Sequence, residues 1–302
     1  MVNVQSRNFE QEKSELQCSR LMRISGLLNP LDRPTDARAR LLSHFQSAKG
    51  TTEHGRKWDD LWKEGFLPWD KGFPNPALVD LLTERQDLFP PPPKSGRRKA
   101  LVPGCGKGYD VLLLSAFGYD AYGLEISSNA LEAARRTEKE MDGKGDYEMR
   151  EGVEKGRVTW LAGDFFADAF LKDVEGEGAF DLIYDYTFLS ALPPVMRPAW
   201  SKRSVELLAP KGRIVCVEFP TYKPASTGGP PWALPPKIYL AHLSRPGEEL
   251  PYAEDGELEE SKLGETSTTG LRRIEHSQPK RTHQIGYNAE GKVTDWVSVW
   301  AK

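Results

Sequence analysis

The stretch "ALVPGCGKGYDVLLLSAFGYDAYGLEIS" constrains this chain more than any other. An apolar run, "KALVP", ends on three glycines within five positions, Gly104, Gly106 and Gly108. The apolar segment "YDVLLLSAFG" follows, long enough for a helix and stopped by Gly118. A second strand, "DAYGLEI", brings Glu125 to its end. Only glycine lets backbone approach a ligand closely and take a positive φ at no cost. Strand, glycine turn and helix together place backbone N–H groups beside a bound group. A carboxylate at the end of the next strand can accept both hydrogen bonds of a ribose diol.

The dinucleotide fingerprint needs G-x-G-x-x-G. Here the third glycine comes one residue early, and Tyr109 stands in its place. The P-loop needs G-x-x-x-x-G-K-[ST], and Gly108 follows Gly106-Lys107. The turn therefore fits a nucleoside without a diphosphate. A plain tight turn is the bland alternative, and Glu125 at ribose distance weakens it.

The rest of the chain repeats the alternation. "SSNALEAARRTEKEM" is a capped amphipathic helix. "RVTWLAGDFF", "FDLIYDYTFL" and "RIVCVEFP" read as the third, fourth and fifth strands. A proline-led helix, "PPVMRPAWSKRSVELLAPKG", lies before the fifth, with Gly212 after its end. "LRRIEHSQ" and "KVTDWVSVW" alternate as strands do and close the chain as an edge hairpin. The expected fold is α/β: a doubly wound, mostly parallel, seven-stranded, Rossmann-like sheet with that antiparallel hairpin. Residues 1–50 read as a polar, partly mobile extension with a short helix near Asp36. Residues 51–302 read as one domain, with an acidic surface loop near 244–268. "FPPPPKSGRR" is a rigid connector.

Ahead of the sheet, Trp58, Leu61 and Trp62 share one helix face, and Trp69 sits between Pro68 and Pro74. Pro76 suits the first turn of a helix continued to Glu84. Ligands of open α/β sheets bind beyond the carboxyl ends of the strands. There stand Asp164 and Phe165 after the third strand, and Asp185 and Tyr186 at the fourth. Asp164 either receives an adenine amino group or caps the chain after its strand. Asp185 and Tyr186 either serve a ligand or end a buried strand.

Charge and cysteine content narrow the classes. A net charge of −3 and no long basic run speak against nucleic acid. No apolar stretch of about 18 residues occurs, so no transmembrane helix is expected. Three dispersed cysteines, Cys18, Cys105 and Cys216, give neither a zinc spacing nor a disulfide framework. A reducing, cytoplasmic location is expected, with no metal.

At these residues the sequence resembles a class I S-adenosylmethionine-dependent methyltransferase. More narrowly, it is similar to the thiopurine S-methyltransferase superfamily, in its thiol, thiocyanate and halide branch. The marks are "WDDLWKEGFLPWDKGFPNPAL", "LVPGCGKGYDV", "GLEIS", "GDFF", "FDLIYDYTFLSALPPVMRPAW" and "GRIVCVEFP". "GGPPWA" and "AHLSRPGEE" are similar to fungal members of that branch.

The resemblance implies S-adenosylmethionine as cofactor and a small-molecule methyl acceptor; a monomer or weak dimer is expected. It implies that Trp58, Trp62, Trp69, Gly104, Gly106, Glu125, Asp164, Phe165 and Tyr186 bind the cofactor. Glu125 stands where many members have aspartate. Plant members have a tyrosine before the proline that ends the fifth strand, and here Phe219 precedes Pro220. The missing hydroxyl disfavours halide and leaves a larger or softer sulfur nucleophile.

Methyl transfer from a sulfonium is an in-line displacement, helped by alignment and a dry aromatic wall. Phe188 and Phe219 join the tryptophans as wall candidates. A thiol is partly ionised near neutral pH, so strong base help is optional. Asp185 and Glu218, with Tyr186 and Phe219, are the candidates beside the reacting atoms. His242 is a third base candidate, read against its alternative as a helix-surface residue. An N- or O-methyltransferase on the same scaffold, and a cofactor-binding protein without turnover, stay open. A dehydrogenase is disfavoured by Tyr109.

Overall fold

A computed structural model describes residues 34–46, 50–89, 96–141, 152–176 and 179–302. The chain divides into two units, Met1–Gln46 and Ser47–Lys302. In the first, helix α1 spans Pro34–Phe45, with Asp36 in its first turn. The mobility expected of the N-terminal extension falls, for residues 1–33, outside the described residues. So do positions 90–95 of the proline connector.

The second unit is built on seven strands: β1 (Lys99–Pro103), β2 (Asp120–Glu125), β3 (Val158–Ala162), β4 (Phe180–Tyr186), β5 (Leu208–Glu218), β6 (Arg272–Ser277) and β7 (Trp296–Ala301). Their order is β3-β2-β1-β4-β5-β7-β6. The first five run parallel. β7 is antiparallel to both neighbours, β5 and β6. The edge hairpin is thus present, with its second strand inserted next to β5. β1 and β2 are buried along nearly their whole length, which is why they read as continuous apolar runs.

Five helices carry the argument: α2 (Gly50–Lys63), α3 (Pro76–Glu84), α4 (Tyr109–Ala116), α5 (Ser128–Met141) and, after the four-residue α6 (Phe188–Ala191), α7 (Arg197–Leu207). An eighth, α8, spans Pro236–Ser244. α3 begins at the expected proline, with Asn75 as its cap: the Asn75 side chain accepts from the Ala77 N–H. Leu78, Leu81, Val111 and Leu114 of α3 and α4 pack with Leu182, Tyr184, Val215 and Val299 on one sheet face. Trp200, Ile238 and Tyr239 of α7 and α8 pack with Leu101, Ile183, Ile214 and Trp300 on the other.

One boundary differs from expectation. The helix before β5 ends at Leu207, and the strand begins at Leu208 rather than after Gly212. Pro210 lacks the N–H that another helical turn would need. Leu208 pairs with Phe180, and pairing resumes only at Arg213 opposite Leu182, so the residues between form an irregularity in the strand. Within 244–268, Leu258 is buried and joins Leu250, Tyr252 and Leu263 against the core, while Glu254 and Asp255 stay exposed.

This order creates a switch point. From β1 the chain winds toward β3, and from β4 it winds the other way, leaving a crevice at the carboxyl ends of β1 and β4. The glycine turn, Glu125, Tyr186 and the end of β5 all lie at those ends. So does the β6–β7 connection, because Trp296 at the start of β7 pairs with Glu218 at the end of β5.

Candidate active site

The turn after β1 takes the conformation its composition requires. Gly104, Gly106 and Gly108 have φ of 59°, 54° and 78°. A Cβ on Gly104 would lie 2.6 Å from the Phe188 ring, so any larger residue would have to displace that ring. Glu125 is 8% exposed and accepts hydrogen bonds from the N–H of Gly106 (3.2 Å), Ile126 (2.9 Å) and Ser127 (3.3 Å). Burial raises its pKa, against the pull of those backbone bonds. A carboxylate has about four acceptor positions, so three bonds leave capacity for a ligand hydroxyl.

α2 supplies the wall over this turn. Asp59 accepts from Ser127 Oγ (2.6 Å) and Asn129 Nδ2 (2.8 Å), and pairs with Lys63 (2.6 Å). Against the cost of burial, these partners hold Asp59 down at about 2. The clamp sets Trp62 against Gly106, 3.6 Å from where a Cβ would stand. Trp69 packs edge-on to Trp58 (5.1 Å) and Trp62 (6.0 Å). The three tryptophans named from the sequence thus form one cluster at the turn. Asp59, which anchors them, was missed. Its i,i+4 spacing from Lys63 signals a helix pair, but nothing local signals Ser127 and Asn129.

Phe165 is buried, with Phe188 at 5.2 Å and Phe166 at 5.3 Å, all edge-on. Asp164 is half-buried, and one carboxylate oxygen accepts from the Phe166 N–H (2.9 Å). Both residues therefore sit beyond β3 on the side of the glycine turn that Phe188 covers.

At β4 the candidates separate. In the parallel register Asp185 lies beside Cys216 and Tyr186 beside Val217, so Asp185 and Glu218 point to one sheet face and Tyr186 to the other. Asp185 is 1% exposed and fully engaged. It accepts from the Leu189 N–H (3.2 Å) and from Trp200 Nε1 (2.9 Å). Burial pushes it up to about 6. Glu218 is fully buried, meets His276 Nε2 at 3.3 Å, and is pushed up to about 7 by burial. The two carboxylates are engaged by Trp200 and His276. His242 is fully buried rather than on the helix surface. Its Nε2 lies 2.8 Å from Tyr252 Oη with the two rings stacked, and burial lowers it to about 3. Six of the nine residues of α8 are buried, His242 among them, and the exposed position of the helix is taken by Leu240.

The Tyr186 face holds a polar group of a different kind. Phe219 lies 6.4 Å from the Tyr186 ring. His283, from the β6–β7 connection, stacks on Tyr186 at 5.5 Å and 25° and meets Phe73 edge-on at 4.8 Å. Tyr184 Oη, Tyr186 Oη, His283 Nδ1, Asp295 Oδ1 and Asn75 Nδ2 are buried without a hydrogen-bond partner. Burial raises Asp110 to about 7 and Asp295 to about 6, and lowers His283 to about 4. Sequence reading missed Asn75, Asp110, His283 and Asp295. Asp110 directly follows the glycine turn, which was a usable signal. His283 lies in a polar stretch without periodicity. Among the described residues, no cluster of His, Cys, Asp or Glu is arranged to hold a metal.

A parallel sheet in this order, with a glycine turn after β1 and a ribose-type carboxylate after β2, is the framework of Rossmann-like methyltransferases. The profile of the thiopurine S-methyltransferase (TPMT) family matches residues 53–283. A thiocyanate methyltransferase 1 of Brassica oleracea is 34% identical over 220 residues, covering 71% of this chain and 85% of that protein. A probable thiol methyltransferase 2 of Arabidopsis thaliana is 33% identical over 201 residues, covering 67% and 77%. A thiopurine S-methyltransferase of Legionella pneumophila is 28% identical over 181 residues, covering 60% and 76%. The chain belongs to the thiopurine S-methyltransferase family. It is an S-adenosylmethionine-dependent methyltransferase.

Proposed function

We propose that this enzyme methylates small thiols and related sulfur nucleophiles in the cytoplasm, as a monomer or weak dimer. The observation that carries the reading is the tryptophan cluster built onto the glycine turn, with Trp62 against Gly106. Bound there, S-adenosylmethionine supplies an electrophilic methyl group on a sulfonium. Glu125 holds the ribose through its remaining acceptor capacity. Asp164 and Phe165 would hold the adenine, the carboxylate accepting from its amino group and the phenyl ring packing on the base. Trp58, Trp62, Trp69 and Tyr186 form a dry aromatic wall that tolerates the cation and excludes water. Phe219 presents an apolar face where a hydroxyl would favour a small hydrated anion. That favours a softer, larger sulfur.

Asp185 and Glu218 act on the site by holding β4 and β5, through Trp200 and His276. The absence of a helix long and apolar enough to cross a membrane among the described residues is compatible with a dissolved substrate. The test is a competition among thiols, phenols and amines, read as S-adenosylhomocysteine formed and as the methylated product. Thioether as the dominant product is expected. Exclusive methylation of an amine or phenol would overturn the proposal.

A further inference from the structure

We propose that His283 is the group that takes the proton of the acceptor thiol, with the Tyr186 hydroxyl holding the resulting sulfur anion. This rests on the reading of the protein as a thiol methyltransferase.

The argument is geometric. His283 Nδ1 and Tyr186 Oη belong to two stacked rings, and both atoms are buried without a partner. A buried polar atom left unpaired destabilises the free protein, so a ligand that pairs it recovers that free energy. One atom can accept a proton and the other can donate a hydrogen bond. A thiol becoming a thiolate needs that combination. The rings lie at the carboxyl ends of the central strands, with Phe219 as an apolar neighbour of Tyr186 at 6.4 Å.

The placement is also fixed from outside. Arg281 forms a two-pronged pair with Asp80 of α3 (2.8 and 3.0 Å), and Lys280 reaches Glu84 (2.8 Å). Thr282 Oγ donates to Asp295 Oδ2 (2.6 Å). The three residues before His283 are thereby held to α3 and to the start of β7.

The step balances simply. The acceptor S–H bond breaks, its proton moves to His283 Nδ1, and the bonding pair stays on sulfur as the nucleophile. The proton later passes to water. Lys71, before α3, acts on the imidazole, which stacks on Tyr186 of β4; Asp110 of α4 and Asp295 before β7 act on Tyr184 and Tyr186 in turn. Burial and Lys71 keep the imidazole neutral in the free enzyme. That neutrality leaves a lone pair on the ring but lowers its basicity, and an adjacent sulfur anion restores the basicity by stabilising the protonated form.

The test uses His283→Asn and His283→Gln, each checked by S-adenosylhomocysteine calorimetry and thermal unfolding. For an alkyl thiol that is protonated at the assay pH, kcat/KM should fall by about 100-fold or more, the lower range for a lost general base. For an aryl thiol already ionised at that pH, the loss should stay within about fivefold, since no proton remains to be taken. A readout that needs no turnover is the ultraviolet absorbance of the thiolate formed when the alkyl thiol binds the S-adenosylhomocysteine complex. It should appear with the unmodified enzyme and vanish in both variants. Equal losses for the two thiols, or thiolate formation unchanged without His283, would overturn the proposal. If the unmodified enzyme binds S-adenosylhomocysteine but methylates no thiol at all, the functional reading itself fails, and this inference fails with it.

Discussion

The two ends of the crevice are built in opposite ways. At the glycine turn the polar groups are already paired: Glu125 accepts from three backbone N–H groups, and Asp59 is shared between Ser127, Asn129 and Lys63. On the Tyr186 face, among the described residues, Asn75 Nδ2, Tyr184 Oη, Tyr186 Oη, His283 Nδ1 and Asp295 Oδ1 are buried without a partner. The first end keeps its shape without a ligand. The second carries an unmet demand for hydrogen bonds, which a suitable ligand satisfies. In the proposed function, the cofactor end is thus set by backbone geometry, and the acceptor end by side chains whose pairing selects the ligand.

The strongest way to break this contrast is Gly104→Val. The new side chain needs the space of Phe188 at a φ of 59°. S-adenosylhomocysteine affinity should drop by at least about 100-fold, from overpacking and backbone strain together, while the fold persists. Calorimetry and circular dichroism measure the two. Near-normal affinity would mean that the turn is not the cofactor site.

Asp185→Ala tests whether that carboxylate serves the fold rather than the chemistry. It strands the Trp200 Nε1–H and the Leu189 N–H, and should cost about 2–4 kcal/mol in urea unfolding. Cofactor affinity of the folded fraction should change little. A variant as stable as the original but without activity would return Asp185 to the reacting centre.

A smaller effect separates buried histidines from usable ones. His242 is held neutral down to about pH 3 in the folded protein, against about 6.5 when unfolded. Its unfolded form therefore gains a proton first, and the fold loses stability as pH falls below 6.5. From pH 7 to pH 5 that loss amounts to about 2 kcal/mol. His242→Phe should remove this share of the acid sensitivity without altering the acceptor preference. Denaturant unfolding at the two pH values is the measurement.

The smallest effect sharpens the acceptor end. Phe219→Tyr adds a hydroxyl beside Tyr186. It should shift the preference toward a small anion such as thiocyanate by about fivefold relative to an alkyl thiol, the worth of one net hydrogen bond. Competition kinetics read the ratio.

The same contrast explains what could be read from the amino acids alone. β1, its turn, α4 and β2 are contiguous, so glycine spacing and apolar runs suffice to place them. The tryptophan cluster was legible because Trp58 and Trp62 share a helix face and Trp69 follows closely. The direction of Asp185 was not legible. It depends on which sheet face receives α7, where Trp200 arrives from a later segment. His242 was misread because the burial of α8 comes from its neighbours, not from its own pattern. His283 reaches the crevice only because β7 inserts beside β5, a pairing no local signal encodes. The start of β5 at Leu208 depends on an irregular pairing with β4 that apolar spacing does not reveal.

The anchoring of α2 through Asp59 has a thermodynamic consequence. The helix that carries Trp58 and Trp62 is a separate piece laid over the sheet, fastened at Ser127 and Asn129. Whatever free energy the docked helix adds to cofactor affinity, the cofactor returns in full to helix docking. Under the proposed binding of the cofactor against Trp58 and Trp62, occupancy and the seating of α2 are one linked equilibrium, so a cell rich in S-adenosylmethionine also stabilises that helix.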